Sequence, residues 1–184
     1  MAIPSFQNIA AAVLKEKIKE LPKSILTFDP GETTGWSSWA KEIDAKEPPK
    51  LVKWGQLNTK TLRNAIELEE SVKNLLMGSN DTSRPNVVVI EDYRIYEWKT
   101  DEHAWSSVHT IQLIGLIKTY CIQNNIPYVM QSAQIAKQFA TDEKLKDWDF
   151  WQPGMRHARD AIRHGIYYIL FNSQKKFNDE GYVV

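Results

Sequence analysis

The sequence predicts an α/β fold, with a mixed five-stranded sheet, helices on both faces and one extra helix at the N-terminus. Three observations carry that expectation. Residues 24–28 (SILTF) and 87–90 (VVVI) are short apolar runs of the kind buried on both faces of a central strand. Residues 35–57 hold two further strand-like runs separated by a polar, double-proline turn, which suggests a hairpin. From residue 61 onward, helical periods alternate with short β-branched runs, a pattern that adds parallel strands to a sheet.

The elements follow in order. Residues 7–21 read as an amphipathic helix with Ile9, Val13, Ile18 and Leu21 apolar, stopped by Pro22. Residues 24–28 form the first strand and end at the turn Asp29-Pro30-Gly31. Residues 35–40 and 51–57 are the second and third strands. Residues 61–77 form a helix, residues 78–85 a loop and residues 87–90 the fourth strand. A polar, aromatic stretch from Tyr93 to Trp105 precedes a long helix over residues 108–122. Gly115 inside that helix costs about 0.5–1 kcal/mol relative to Ala, which suggests close packing there against another helix. Residues 127–130 give the fifth strand, 132–140 a short helix, 141–154 a charged and aromatic surface segment, 155–171 the last long helix and 172–184 a tail. The division expected is a helical extension over residues 1–22 and one domain over residues 23–184.

The bulk composition is ordinary for a globular chain. The 184 residues hold 23 basic and 23 acidic side chains, for a formal net charge of 0. That excludes a protein whose whole surface attracts phosphate, while leaving room for a local basic face. The single cysteine, Cys121, excludes an internal disulfide and a cysteine-based zinc site, and suits the reducing cytoplasm. No apolar run is long enough to span a membrane, and the N-terminus lacks the pattern of a secretory signal.

Three places could carry chemistry. Asp29 ends the first strand, and the following Gly31, Thr33, Thr34 and Gly35 could expose backbone N–H groups to a phosphate. Alternatively, this is a structural turn. Glu91 ends the fourth strand, where an ionised carboxylate is costly unless it is solvated, paired or metal-bound. If those strands are adjacent and parallel, both carboxylates project from the same sheet edge. His157 and Asp160 lie three apart on the last helix, with His164 and Tyr168 continuing the stripe. Ala158 and Ala161 would let that helix approach the sheet. Two strand-end carboxylates plus a helical Asp make an oxygen-rich set suited to Mg²⁺ or Mn²⁺. Two such ions could activate water and stabilise a leaving oxygen of a phosphodiester. His157 could bind metal, orient water or shuttle a proton.

Charge balance breaks on the last helix. Residues 156–176 carry five basic residues (Arg156, Arg159, Arg163, Lys175, Lys176) against one acidic residue, Asp160, a net of +4. This is either a solvated face or a surface that positions phosphates. Tyr93, Tyr96, Trp98 and Trp105, with Arg94 and Lys99, could stack on unpaired bases, as could Trp148, Phe150 and Trp151. Either cluster could equally cover a core.

ILTFDPGETTGW, VVVIEDYRIY and HARDAIRHGIYYI, in that order, make the chain similar to the RuvC-type Holliday-junction resolvases of the ribonuclease H-like superfamily, in a divergent, phage-like form. PYVMQSAQIAKQFA resembles the strand and short helix that precede the final loop in that family, and Lys137 fits its DNA-contacting basic residue. The resemblance covers residues 24–171. It implies a ribonuclease H-like fold, catalytic and metal-binding Asp29, Glu91, His157 and Asp160, two divalent ions and a homodimer formed near the helix over residues 108–122. It also implies paired nicks in four-way DNA, in the host cytoplasm for a phage-encoded protein. The zero net charge and the Trp- and Tyr-rich loop depart from the family pattern and point toward flaps, other branched DNA or RNA as alternative substrates. An actin-like phosphotransferase would need a second phosphate loop and a second domain that this chain lacks. A non-catalytic binding protein would have no need to keep all three acids.

Overall fold

The computed structural model describes residues 4–42, 46–59, 65–77, 84–93 and 104–182. The strands are β1 (Ser24–Asp29), β2 (Thr33–Ala40), β3 (Lys50–Asn58), β4 (Val87–Asp92) and β5 (Tyr128–Ser132). The helices are α1 (Phe6–Leu14), α2 (Ala65–Met77), α3 (Ala104–Gln123), α4 (Ala133–Phe139), α5 (Asp142–Asp147) and α6 (Arg156–Tyr167). The sheet order is β3-β2-β1-β4-β5. The β1–β2 and β2–β3 pairs are antiparallel, and β1–β4 and β4–β5 are parallel. This is the mixed five-stranded sheet with an added N-terminal helix that the sequence predicts.

Strand alternation divides the interior into two cores. Ile25, Val87 and Val89 face α1 and α6, where they join Phe6, Ala10, Trp39, Ile162 and Ile166. Leu26, Phe28, Val88 and Ile90 face α2 and α3, where they meet Val72, Leu76, Leu113 and Ile117. The same parity sends Asp29 and Glu91 to the α6 side and Asp92 to the other, where it accepts a hydrogen bond from the Tyr182 hydroxyl at 3.1 Å.

Helix α6 lies unusually close to the sheet. A Cβ on Gly35 would stand 1.9 Å from the His157 carbonyl oxygen, and one on Gly165 would stand 2.1 Å from Trp39 Nε1. The Ala161 carbonyl accepts a hydrogen bond from Thr27 Oγ1 at 2.7 Å and another from Ser37 Oγ at 3.3 Å. Residues of β1 and β2 thus replace the solvent that a helix carbonyl would otherwise meet. Gln56 of β3 caps the same helix, its Oε1 accepting from the His157 amide at 2.8 Å and more weakly from that of Ala158 at 3.4 Å.

Several local expectations change. The α-helix over residues 7–21 stops at Leu14 and continues as a 3₁₀ turn, Lys15–Glu20. Segment 141–154 contains α5, whose Thr141 hydroxyl accepts from the Lys144 amide at 3.4 Å. Gly115 packs against nothing, since a Cβ there would meet open space. Helix α6 widens into a π turn at Tyr168–Asn172. The tail covers the outer edge of β5, where the Met130 amide donates to the Gly181 carbonyl at 2.8 Å. Among the described residues, no helix is long and apolar enough to cross a membrane.

The glycines give opposite expectations. Gly35→Ala forces backbone against backbone and should lower the unfolding free energy by at least about 2 kcal/mol. Gly115→Ala should raise it by about 0.5–1 kcal/mol. Urea unfolding of both variants checks this; equal effects would contradict the close approach of α6.

Candidate active site

Parallel pairing of β1 with β4 sets Phe28 against Ile90, so the next residues, Asp29 at the end of β1 and Glu91 one residue before the end of β4, lie side by side on the same face. Helix α6 crosses that face and adds His157, Asp160 and His164. The spacings of three and four place all three on the side turned to the sheet. Asp29 and Asp160 are buried, and Glu91 is partly exposed.

Each acid meets a basic or imidazole side chain. His157 Nδ1 lies 2.8 Å from Asp29 Oδ2, and His164 Nε2 lies 2.9 Å from Glu91 Oε2. Lys137 Nζ reaches from α4 to within 3.1 Å of Asp160 Oδ2 and 3.7 Å of Glu91 Oε2. Arg163 also pairs with Asp160.

The electrostatics follow from this crowding. Burial pushes the Asp29 carboxyl up to about 6, against the hydrogen bond from His157 and with the help of Glu91 and Asp160. Burial also acts against ionised Glu91, but the hydrogen bond and the electrostatic pull of His164, followed by the nearby Lys137 charge, prevail and hold it below the ordinary value. The bond to Asp29 raises the His157 value. Lys137 loses solvation, yet Glu91, Asp160 and Asp29 together raise its value, so it stays an ammonium.

Oxygen donors of this kind suit a hard divalent ion, which would offset the burial and, to a smaller degree, the Glu91 and Asp160 charges that raise the Asp29 value. Among the described residues, however, no three His, Cys, Asp or Glu side chains are gathered into one ligating cluster. The carboxylates are turned instead to Lys137, Arg163, His157 and His164.

Other expected positions separate. Arg156 is exposed at the start of α6. Arg159 stacks its guanidinium 4.1 Å from the Trp151 ring centroid and donates to the Gln152 carbonyl at 2.6 Å. Arg163 is the clearest correction to the expected phosphate-binding set. It is only 7 % exposed, and its nitrogens are taken by the Ala140 carbonyl, Asp160 and Asp142. A buried guanidinium holding two carboxylates has no face left for a phosphate. Trp148 and Phe150 are likewise not stacking platforms, because both pack on Phe6 in the core. Tyr93 is exposed at 37 %. Arg94, Tyr96 and Trp98 lie outside the described residues.

The Asp-Pro-Gly turn is closed by its own contacts. The Gly31 amide faces Thr34 Oγ1 at 3.3 Å, and the Thr34 and Thr59 hydroxyls both donate to the Gly31 carbonyl. That favours the structural reading of this turn over a phosphate cradle. Sequence reasoning overlooked Gln56 and Gln131. Nothing marks a lone Gln on a strand until its partner element is known.

The architecture has solved counterparts. The RuvC structure from Thermus thermophilus superimposes with a TM-score of 0.58 at 17 % identity, covering 81 % of this chain and 95 % of that one. The T. thermophilus RuvC complex with a Holliday-junction substrate gives 0.59 at 16 %, covering 81 % and 94 %. The yeast mitochondrial Holliday-junction resolvase Ydc2 gives 0.52 at 13 %, covering 91 % of this chain and 85 % of that one. No family model and no curated protein sequence matches the chain. The protein therefore has the ribonuclease H-like fold seen in the RuvC-type resolvases, at the level of architecture.

Asp29 makes a pH prediction. With a folded value of about 6 against an ordinary 3.8, its contribution to stability is full below pH 3.8 and is lost as the pH rises through about 6. Asp29→Asn should therefore stabilise the protein in EDTA at neutral pH by on the order of 1–3 kcal/mol, the gain vanishing below the ordinary carboxylate range. Thermal and urea unfolding across pH measures it. A loss at neutral pH would mean that the pairing with His157 outweighs the cost of burial.

Proposed function

We propose that the protein is a divalent-metal-dependent, structure-selective endodeoxyribonuclease that cuts four-way DNA junctions by paired nicks. The observation that carries this reading is the convergence of Asp29, Glu91 and Asp160 from two adjacent strand ends and a facing helix, within the fold that RuvC shares. Asp29, Glu91 and Asp160 would hold Mg²⁺ or Mn²⁺, two ions in all, with His157 beside them. Held there, the ions would supply an activated water and stabilisation of the leaving oxygen.

The chain's own groups have definable tasks. His157 orients Asp29 and can hold or pass a proton at Nδ1. Lys137 neutralises Glu91 and Asp160 and is the basic group nearest a phosphate bound at those acids. Arg156, exposed on the first turn of α6, contacts the DNA backbone, and Arg159 supports it from its seat on Trp151. Tyr93, Arg94, Tyr96 and Trp98 follow Glu91 directly in sequence and would stack on or grip bases near the branch.

A homodimer places two such sites on opposing strands, as paired nicks need. The outer stripe of α3 suits that contact. Ile111 and Ile122 are 45 % and 62 % exposed. The buried thiol of Cys121, pushed up to about 12 by burial, is unreactive and compatible with a cytoplasmic setting.

The test is a panel of labelled four-way junction, flap, duplex, single-strand and RNA–DNA hybrid substrates with Mg²⁺ or Mn²⁺. Symmetric nicks in the junction alone are expected. Asp29→Asn and Glu91→Gln should each reduce cleavage at least ~1,000-fold while the protein stays folded. Cleavage of flaps or hybrids in preference to junctions would move the substrate class. Cutting by these variants at the parent rate would remove the site.

A further inference from the structure

Behind the acid cluster runs a buried polar chain that the proposed chemistry does not use. His164 is 0 % exposed, Gln131 3 % and Asn172 5 %. Gln131 lies on β5 directly beside Glu91 of β4 in the parallel ladder. Its Nε2 stands 2.8 Å from His164 Nδ1 and 3.1 Å from the His164 carbonyl oxygen. Its Oε1 accepts from Asn172 Nδ2 at 3.0 Å. The other ring nitrogen, His164 Nε2, lies 2.9 Å from Glu91 Oε2.

The direction of this chain follows from donor and acceptor chemistry. A carbonyl oxygen can only accept, so the Gln131 group facing the His164 carbonyl must be its NH₂. The same NH₂ faces ring Nδ1, which must then be the acceptor. The ring proton therefore sits on Nε2 and is donated to Glu91. The opposite amide orientation would set oxygen against oxygen at the His164 carbonyl. The π turn completes the arrangement. The Ser173 amide bonds to the Tyr168 carbonyl at 2.8 Å, an i→i+5 step that ends the helix with Asn172 turned to β5.

We propose that His164, steered by Gln131 and Asn172, is a positioning residue for Glu91. The relay fixes one carboxylate oxygen with a ring N–H whose direction Gln131 sets, and so orients the group. This proposal rests on the nuclease reading for its consequence, since an oriented Glu91 matters most to a bound divalent ion. Partners that orient metal-binding carboxylates commonly affect metal affinity by 10–100-fold.

The test compares two variants of the full chain. His164→Gln keeps an amide N–H near the place of Nε2, and His164→Leu removes it. Mn²⁺ titration followed by electron paramagnetic resonance should show ~10–100-fold weaker binding for the Leu variant and recovery to within a few-fold for the Gln variant. On the four-way junction the Leu variant should lose kcat with little change in KM. Parent-like Mn²⁺ affinity in the Leu variant, or no recovery in the Gln variant, overturns the proposal. Gln131→Met, which leaves the imidazole in place, should also weaken Mn²⁺ binding and serves if His164→Leu does not fold.

Imidazole ¹⁵N shifts of the metal-free parent should show Nδ1 bare and Nε2 protonated; the reverse tautomer also overturns the relay. If the parent neither binds Mn²⁺ nor cuts any substrate, the nuclease reading fails. The tautomer, and the Glu91 carboxyl ¹³C shift with and without His164, would still decide whether the relay exists.

Discussion

The close seat of α6 on β1 and β2 is the constraint on which the rest of this structure depends. Two positions tolerate no side chain, Gly35 beneath the His157 carbonyl and Gly165 beneath Trp39. Between them, the Ala161 carbonyl is held by Thr27 and Ser37. These contacts set the height of the helix above the sheet. Only at that height can His157 reach Asp29 and His164 reach Glu91 at hydrogen-bonding distance. Gln56 fixes where the helix begins, and the π turn fixes how it ends. The acids are thus brought together by backbone approach, and their mutual repulsion is borne by the packing beneath them.

That repulsion explains the surrounding basic groups. Three carboxylates in a partly buried space cannot all remain ionised without compensation. Lys137 and Arg163 balance Asp160, His164 donates to Glu91, and Asp29, which burial penalises first and its acidic neighbours second, holds its proton to about pH 6. A net charge of 0 summed over the chain hides this local accounting. Several of the 23 acids and 23 bases are spent on each other inside the fold and present nothing to a ligand. Arg163 is the clearest case, because its charge is consumed by Asp160 and Asp142.

The aromatic residues divide in the same way. Phe6 of α1 meets Trp39, Trp148 and Phe150 at ring-centroid separations of 5.5–5.8 Å. The N-terminal helix is therefore built into the core beside α6, where Phe6, Ala10 and Leu14 are all buried. Residues 1–22 read as an extension because a helix period shows which face is apolar but not what that face covers. The same limit made Trp148 and Phe150 look available for stacking. Lys146 and Arg159 bracket Trp151, so even the less buried ring of that segment already has cationic partners.

The sequence by itself determined the strand ends, their parity and the acids that mark them. Apolar β-branched runs identify central strands, and side-chain alternation then commits Asp29 and Glu91 to one face and Asp92 to the other. The His157–Asp160 spacing identified a helix face for the same local reason. Tertiary structure alone decided which charge meets which. Arg159 and Arg163 sit one turn apart on one helix, yet one stacks on Trp151 and the other is sealed between two acids. Gln131, Asn172 and Gln56 acquire a role only when β5, the π turn and β3 are set against α6. Periodicity is a property of neighbours along the chain, whereas pairing depends on the distance between elements, which close packing at Gly35 and Gly165 sets.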